Sequence, residues 1–219
     1  MGKFPLETKI TITKPDKAHV LQHYYASNLK AWTLSALVGV TCVTFQVLNF
    51  EILLRFGRSE ILESGQWWRV LTGNLVHLGY PHLLLNMTGL ILITLLLAHA
   101  LTVRQWAVTG LCSMLGVGFG LLIFDPQLSW YVGLSGALYG LLLGGAIAEF
   151  RNHKPIACLI AAYTIGKVIW EQISGAVESS EAITGGNVIV NAHLYGMVAG
   201  VLAVLAMRML EQLRNKTTV

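Results

Sequence analysis

The sequence predicts an all-α membrane protein with a bundle of six transmembrane helices, and three observations support this prediction. The chain of 219 residues is 54% hydrophobic and 12% charged, whereas about a quarter of the residues in a soluble domain carry a charge. Its apolar residues form six stretches of roughly 18 to 24 residues, the length that a hydrocarbon core of about 30 Å requires. The connections between these stretches are short, which predicts a single domain.

Each predicted span is expected to be helical, because an isolated segment in lipid has no other way to satisfy its backbone groups. The first span begins about 30 residues into the chain and is long enough to cross the bilayer, so we expect no cleavable signal peptide. A basic N-terminal tail at residues 1–28 and a short C-terminal tail at 213–219 flank the membrane domain at 29–212. The six predicted spans are residues 30–53, 81–101, 104–124, 133–150, 155–173 and 188–210.

Lysine and arginine residues predict the orientation of the bundle, since they are enriched on the cytoplasmic side of membrane proteins. They are frequent in the N-terminal tail, in the connections after the second and fourth spans, and at the C-terminus. The exception is the first outer loop, residues 54–80, which carries Arg55, Arg58 and Arg69. Most of the basic residues therefore predict that both termini lie in the cytoplasm.

Composition and missing motifs exclude several classes of function. The net charge of +4 comes from basic residues scattered around helix ends, without the aromatic-interleaved stripe of a nucleic-acid-binding surface. Cys42, Cys112 and Cys158 all fall within apolar stretches, where we expect small buried hydrophobic residues. The sequence has no His-Glu-x-x-His motif, no pair of membrane aspartates and no Gly-rich phosphate loop. We therefore expect no metal, no cofactor and no nucleic-acid partner.

A serine and a histidine are predicted at the same depth in the membrane. Ser135 lies 16 residues before Arg151 at the end of the fourth span, and His193 lies 15 residues before Arg208 near the end of the sixth. At a rise of about 1.5 Å per residue, both lie roughly 22 to 24 Å above the cytoplasmic edge. A buried hydroxyl and imidazole are costly, and together they are the minimum for nucleophilic acyl transfer. The pair therefore predicts hydrolysis of peptide bonds inside the membrane.

Small residues recur every four positions in the fourth and sixth spans and predict close contact between them. Ordinary helix packing is the simpler interpretation of either stripe alone, but each stripe begins beside a polar residue, which favours a pair of Ser135 with His193. Tyr139 lies one turn below Ser135, where its ring either packs against the imidazole or belongs to the core. The stripes are Gly136, Gly140 and Gly144 in the fourth span and Ala192, Gly196 and Gly200 in the sixth.

Two polar residues of the second span are candidates for binding an oxyanion. His82 and Asn86 are four positions apart, hence on one face of the helix. Alone they would be interhelical hydrogen-bonding partners; beside a buried Ser–His pair, an oxyanion role is the better interpretation. Ser135 is itself predicted at a helix N-terminus, where free N–H groups and the helix dipole favour negative charge. His77 either lines the mouth of the site or has a structural role in the loop.

No acidic residue is predicted at the depth needed to orient His193, so we expect a Ser–His dyad and not a triad. Asp125 and Glu171 lie near the outer edge. Lys167 and Glu171 are four positions apart in the fifth span and are expected to pair. Their pair either shapes a lateral opening of the site or is an ion pair that reaches towards the interface.

Four motifs resemble those of the rhomboid family of intramembrane serine proteases, and they follow one another along the chain as in that family. The resemblance extends from the first span to the sixth. Trp68-Arg69 resembles the pair that braces the family's first outer loop. Tyr139 falls at the position of the family's stacking tyrosine. The other motifs are His82-Leu83-Leu84-Leu85-Asn86 of the oxyanion hole, Gly133-Leu134-Ser135-Gly136 around the nucleophile, and Ala192-His193 with Gly196 and Gly200 on the helix of the general base.

This resemblance implies that Ser135 is the nucleophile and His193 the general base. It also implies that His82, Asn86 and the Ser135 N–H form the oxyanion hole, while the glycines of the motifs have supporting roles. The implied partners are the lipid bilayer and transmembrane substrate proteins.

Within the family, the chain is most similar to rhombosortases, a bacterial subgroup with a minimal six-helix core. The similar stretches are 67–73 with 76–78, 130–136 and 193–196. This similarity implies substrates that are secreted proteins with a C-terminal Gly-Gly-type sorting tail and one anchoring helix. It also implies a multi-pass protein of the bacterial inner membrane whose site opens towards the periplasm. The alternatives are a broad-specificity rhomboid protease and a non-catalytic relative that binds membrane clients, which the presence of both Ser135 and His193 disfavours.

Overall fold

The computed structural model describes residues 17–176, 181–182 and 186–217, with side chains from residue 28 onward. Most of the predicted N-terminal tail, including Lys3, Lys9 and Lys14, lies outside the described residues, as does Glu178 of the last outer connection. In chain order the elements are α1 (Lys17–Val47), α2 (Glu51–Leu54), β1 (Phe56–Gly57), α3 (Arg58–Leu62), α4 (Arg69–Thr72), α5 (Tyr80–Leu97), α6 (Val103–Phe124), β2 (Trp130–Tyr131), α7 (Ser135–Glu149), α8 (Lys154–Ser174) and α9 (Val190–Thr217).

The chain is helical and membrane-like, which confirms that part of the prediction. Within the described residues, five helices are long and apolar enough to cross a membrane: α1, α5, α6, α8 and α9. The helix α7 has 15 residues, or roughly 22 Å of length, and most of its residues are buried. The count of six spans and the cytoplasmic position of both termini stay predictions.

Two helices differ in their bounds from the predicted spans. Helix α1 begins at Lys17, inside the predicted tail, and ends at Val47 before the predicted end at residue 53. Asn49, with a φ of 54°, turns the chain in the left-handed region that asparagine tolerates better than most residues. Helix α9 continues past residue 210 to Thr217. Hydropathy detects only the apolar part of a helix, so the polar turns at these two ends were not predicted.

Arg69 holds two parts of the first outer loop together. Its buried guanidinium donates from Nη1 to the carbonyl oxygens of Ile52 and Arg55, at 3.1 and 2.9 Å. Trp67 and Trp68 are exposed beside it, as suits aromatic rings at a membrane–water interface. The loop is therefore a packed structure and not a free connection.

A short antiparallel ladder joins this loop to the segment that leads into α7. Strands β1 and β2 pair with Phe56 opposite Tyr131 and Gly57 opposite Trp130. Phe56 and Tyr131 are both buried. The ladder thus anchors the chain a few residues before Ser135.

Helices α7 and α9 lie in backbone contact. A Cβ built on Gly196 would lie 2.1 Å from the carbonyl oxygen of Gly136, and one on Gly200 would lie 2.6 Å from the Cα of Gly140. The predicted stripes of small residues therefore face each other, because only glycine permits such an approach. This contact brings the N-terminal ends of the two helices together.

Candidate active site

Ser135 and His193 meet at the N-terminal ends of α7 and α9. Ser135 is the first residue of α7, and His193 lies in the first turn of α9. The Oγ atom of Ser135 and the Nε2 atom of His193 are 2.9 Å apart, a hydrogen-bond distance. The imidazole is buried and the hydroxyl is half-buried. The structure thus brings the two residues together, while their catalytic roles stay predictions.

Gly133 sets the direction in which the chain enters α7. Its φ of 126° is open to glycine only, and a Cβ there would lie 2.8 Å from Cε1 of His82. Its N–H donates to the carbonyl oxygen of Gly73 at 3.0 Å. The hydroxyl of Tyr131 donates to the Gly133 carbonyl oxygen at 2.7 Å, and burial raises the pKa of that hydroxyl. A tight turn with fixed backbone partners therefore presents Ser135.

Tyr139 stacks on the imidazole of His193. The ring centroids are 4.5 Å apart and the ring planes are inclined by 23°. Of the two interpretations left open by the sequence, the structure has the one in which the tyrosine ring packs against the histidine. Offset stacking of this kind fixes the plane of the imidazole.

Glu171 contacts His193 from α8, so the prediction that no acidic residue lies at this depth is wrong. Its Oε2 atom is 2.7 Å from Nδ1 of His193, and its Oε1 atom is 2.5 Å from Nζ of Lys167. The predicted pair of Lys167 with Glu171 is confirmed. The Glu171 carboxylate also forms a hydrogen bond with the imidazole of His193. Ser135, His193 and Glu171 form one hydrogen-bonded chain.

The depth of Glu171 follows from the ends of the helices. Glu171 lies one turn before the end of α8 at Ser174, and His193 lies one turn after the start of α9 at Val190. Because α8 runs opposite to α9, these two turns lie side by side. Counting residues from the outer ends of the fifth and sixth spans would have indicated this contact.

His82 and Asn86 lie beside Ser135 on α5, and both are buried. The Nδ2 atom of Asn86 donates to the His82 carbonyl oxygen at 3.1 Å. The Nδ1 atom of His82 accepts a hydrogen bond from the Leu78 N–H at 3.5 Å. Both side chains line the cavity that contains Ser135 and His193. Their placement fits an oxyanion site, and that role stays a prediction.

His77 lies behind His82 and away from the Ser135 cavity. Its ring meets that of His82 edge to face, with centroids 5.0 Å apart. Among the described residues neither ring nitrogen has a hydrogen-bond partner. Burial lowers the pKa of His77 to about 3, so the imidazole is neutral. This position favours the structural interpretation of His77.

Two cavities meet at Ser135 and His82. The larger, about 690 Å³, lies between α5, α7 and α8 and is lined by apolar side chains together with Asn86 and Glu171. The smaller, about 470 Å³, is lined by the β2 segment and by residues 186–189, which precede α9. A hydroxyl at the junction of two cavities can reach a peptide chain that passes from one to the other.

Comparisons with known proteins indicate one family. A family model described as the rhomboid domain matches residues 64–210. The chain is 29% identical over 140 residues to "Putative rhomboid protease YdcA" of Bacillus subtilis (strain 168). The aligned region covers 64% of the chain and 66% of that protein. The chain is 26% identical over 161 residues to "Rhomboid protease GluP" of the same organism. This aligned region covers 73% of the chain and 30% of that protein. The match thus spans less than two thirds of each relative.

Proposed function

The chain belongs to the rhomboid family, and we propose that it is an intramembrane serine endopeptidase. The single observation that carries the proposal is the 2.9 Å separation of Ser135 Oγ from His193 Nε2. A hydroxyl bonded to an imidazole nitrogen is the arrangement that activates a serine nucleophile. Both relatives are named as rhomboid proteases, which supports the same reaction for this chain.

In the acylation step, Ser135 Oγ attacks the carbonyl carbon of the scissile peptide bond. The hydroxyl proton moves to Nε2 of His193 as the Oγ–C bond forms. The same proton then moves to the leaving nitrogen as the C–N bond breaks, which yields an acyl-enzyme and a free amine. In the second step, water gives its proton to His193, attacks the ester and releases the acid product, and the proton returns to Ser135.

The negative charge of the tetrahedral intermediate is proposed to lie between α5 and the first turn of α7. The Ser135 N–H lies at a helix N-terminus, where such groups have no partner within the helix and the dipole favours an anion. The side chains of His82 and Asn86 line the same cavity as Ser135. A donor in such a site contributes about a hundredfold or more to kcat.

The substrate is proposed to be a transmembrane protein whose helix unwinds near the cleavage site. A helical backbone hides its carbonyl groups, and glycine lowers the cost of unwinding it. The opening between α5 and α8, lined by Leu92 and Leu159, suits a lipid-embedded segment. On this basis we propose the Gly-Gly-type C-terminal tail of secreted proteins as the substrate class, as in rhombosortases.

The protein is proposed to cross the bacterial inner membrane six times, with α7 as the short central span. Both termini then face the cytoplasm, and the Ser135 cavity opens towards the periplasm. The distribution of lysine and arginine along the chain supports this orientation.

Co-expression with a reporter that ends in a Gly-Gly-type tail, one helix and a basic end tests the proposal. The wild type is expected to shorten the reporter, whereas Ser135→Ala leaves it intact. Ser174→Ala, at an exposed position on α8, is the matched control and should cleave like the wild type. Equal cleavage by wild type and Ser135→Ala would contradict a serine mechanism.

Two variants of the reporter separate the alternatives. Replacing Gly-Gly by two leucines should abolish cleavage by a rhombosortase, whereas a broad-specificity rhomboid protease would tolerate the change. A client-binding protein without catalysis would retain the reporter in a complex and leave its size unchanged, with Ser135→Ala behaving as the wild type.

A further inference from the structure

We propose that Glu171 is a positioning residue for catalysis and that the site works as a Ser135–His193–Glu171 triad. This inference rests on the proposed function. It rests also on one contact that the sequence did not predict, the 2.7 Å separation of Glu171 Oε2 from His193 Nδ1.

The contact selects one tautomer of the imidazole. An ionised carboxylate only accepts hydrogen bonds, so Nδ1 of His193 must carry the proton that it donates to Glu171. The Nε2 atom is then unprotonated and can accept the proton of Ser135, from which it is 2.9 Å away. The alternative tautomer would direct an N–H at the Ser135 hydroxyl and could not act as the base.

Lys167 holds the carboxylate in this orientation. Its Nζ lies 2.5 Å from Oε1 of Glu171, so each carboxylate oxygen has its own partner. Glu171 is 4% exposed, and a buried carboxylate is stable only when its charge is matched and its oxygens are bonded. The ammonium group supplies that charge independently of the protonation of His193.

Glu171 and Tyr139 restrain different motions of the same ring. The stacked tyrosine fixes the plane of the imidazole, whereas the carboxylate fixes its rotation within that plane. The positive charge that forms on His193 during acylation faces the carboxylate, which stabilises it. Glu171 thus acts through His193 and does not touch the substrate.

The Glu171→Gln variant tests this role, because the new amide keeps the size of the side chain. Lys167 only donates hydrogen bonds, so it selects the amide oxygen and turns the NH2 group towards Nδ1. That geometry favours the wrong tautomer of His193. The rate of covalent labelling of Ser135 by a fluorophosphonate should fall by about a hundredfold in kinact, with KI unchanged, since a base contributes about that much.

A second substitution separates positioning from a loss of packing. Replacing Lys167 by Met in the Glu171→Gln background frees the amide to turn its oxygen towards Nδ1. We expect the double variant to label about tenfold faster than Glu171→Gln alone, a coupling that a merely structural role does not produce. The matched carboxylate-to-amide control is Glu51→Gln, in a half-buried ion pair with Arg55 away from Ser135, which should label like the wild type.

The outcomes distinguish this inference from the proposed function. Wild-type labelling that is slowed in Glu171→Gln and partly restored in the double variant supports the triad. Equal labelling of wild type and Glu171→Gln would overturn the triad alone. Absence of Ser135 labelling in the wild type would overturn the proposed function and the triad with it.

An independent cluster at the other end of α7 leads us to infer a divalent-cation site formed by His99, Glu149 and His153. One ligand atom from each residue lies within 4.8 Å of the other two. The Nε2 atom of His99 is 3.0 Å from Oε2 of Glu149, and Nδ1 of His153 contacts Oε1 of the same carboxylate. Two imidazoles and a carboxylate are a ligand set that Zn²⁺ uses when it keeps one position open.

The burial of Glu149 favours a cation at this position. Its side chain is 2% exposed, and within the described part of the chain no lysine or arginine lies within salt-bridge distance of it. A buried carboxylate without a permanent cation is costly, and Zn²⁺ would neutralise it. His153 is 63% exposed, which gives an ion a path from solvent.

Calorimetric titration with ZnCl₂ of the purified full chain, stripped with EDTA and carrying no polyhistidine tag, tests this site. We expect one ion per chain and an apparent Kd that rises at least about tenfold in His99→Gln and in His153→Gln, since each removes one ligand. Cys158→Ser, at an exposed cysteine outside the cluster, should bind like the wild type. No Zn²⁺ binding, or binding that is unchanged in both His99→Gln and His153→Gln, would overturn the site.

Discussion

His193 is held on three sides by groups with different chemistry. Ser135 forms a hydrogen bond with Nε2 of the imidazole, and Glu171 forms one with Nδ1. The ring of Tyr139 covers one face of the imidazole. Side chains so restrained lose little entropy when the substrate binds, because their order is established on folding. The residues that hold the imidazole come from α7 and α8, so the base depends on the packing of two neighbouring helices.

Gly133 is the residue where we expect an added methyl group to disturb the geometry of the site most. In Gly133→Ala the Cβ would meet the His82 ring at a φ of 126°, and we expect cleavage to fall by about tenfold or more with a loss of roughly 1 to 3 kcal/mol of stability. Reporter cleavage and thermal unfolding measure the two effects. Gly65→Ala is the control, since Gly65 has a φ of 68° but no atom within 4 Å of the new Cβ; equal effects at both sites would contradict the account.

His77 should make the fold sensitive to acid. Burial lowers its pKa to about 3 in the folded state from an ordinary value of 6.5. The unfolded state then binds more protons between these two values, so stability is full above about pH 6.5 and falls as the pH drops through that window.

We therefore expect the thermal midpoint of the wild type to fall more between about pH 7 and about pH 5 than that of His77→Gln. The measurement is thermal unfolding in detergent at the two pH values for both proteins. Parallel shifts in wild type and variant would show that His77 does not cause the acid sensitivity.

At the scale of the elements, the backbone contact of α7 with α9 sets the Ser135–His193 distance. A Cβ in Gly196→Ala would lie 2.1 Å from the Gly136 carbonyl oxygen, a backbone atom that moves only with its helix. We expect this variant to separate the two helices and to lower both thermal stability and reporter cleavage, the stability by about 1 to 3 kcal/mol.

The matched control is Gly166→Ala on α8, where a Cβ meets no atom within 4 Å. It should raise stability by up to about 1 kcal/mol, because alanine is the better helix former, and leave cleavage unchanged. An active and stable Gly196→Ala protein would show that the helix contact does not control the site.

The helices could be predicted because apolar length and small-residue spacing are local properties of the sequence. The contact of α7 with α9 followed from the stripes headed by Ser135 and His193. Glu171 belongs to no such stripe, and its depth follows only from a count of residues back from the outer end of α8. The packing of the first loop was expected only from the resemblance of Trp68-Arg69 to a bracing pair, because Arg69 donates hydrogen bonds to backbone oxygens that carry no residue-specific signal.

At the scale of the whole molecule, the two cavities and the orientation of the bundle decide which side of the membrane a substrate approaches. Ser135 and His82 line both cavities, whereas the cluster around Glu149 lies at the opposite end of α7. Ser135 with His193 and Glu149 with His99 and His153 therefore lie at opposite ends of α7.

Alkaline phosphatase fusions test this orientation, because the enzyme needs disulfides that form only in the periplasm. A fusion after Thr217 should be inactive, and a fusion at Gln127, between α6 and β2, should be active. The measurement is phosphatase activity in whole cells, normalised to fusion-protein level. The reverse pattern would place the Ser135 cavity on the cytoplasmic side.

His193 is proposed to activate Ser135, and the position of a covalent adduct on the chain reports this activation. The full chain in detergent would be treated with a fluorophosphonate, digested and analysed by peptide mass spectrometry. We predict one modified residue, Ser135, in the wild type and little or no modification in His193→Ala. Modification of a different residue, or equal modification of Ser135 in His193→Ala, would contradict the account.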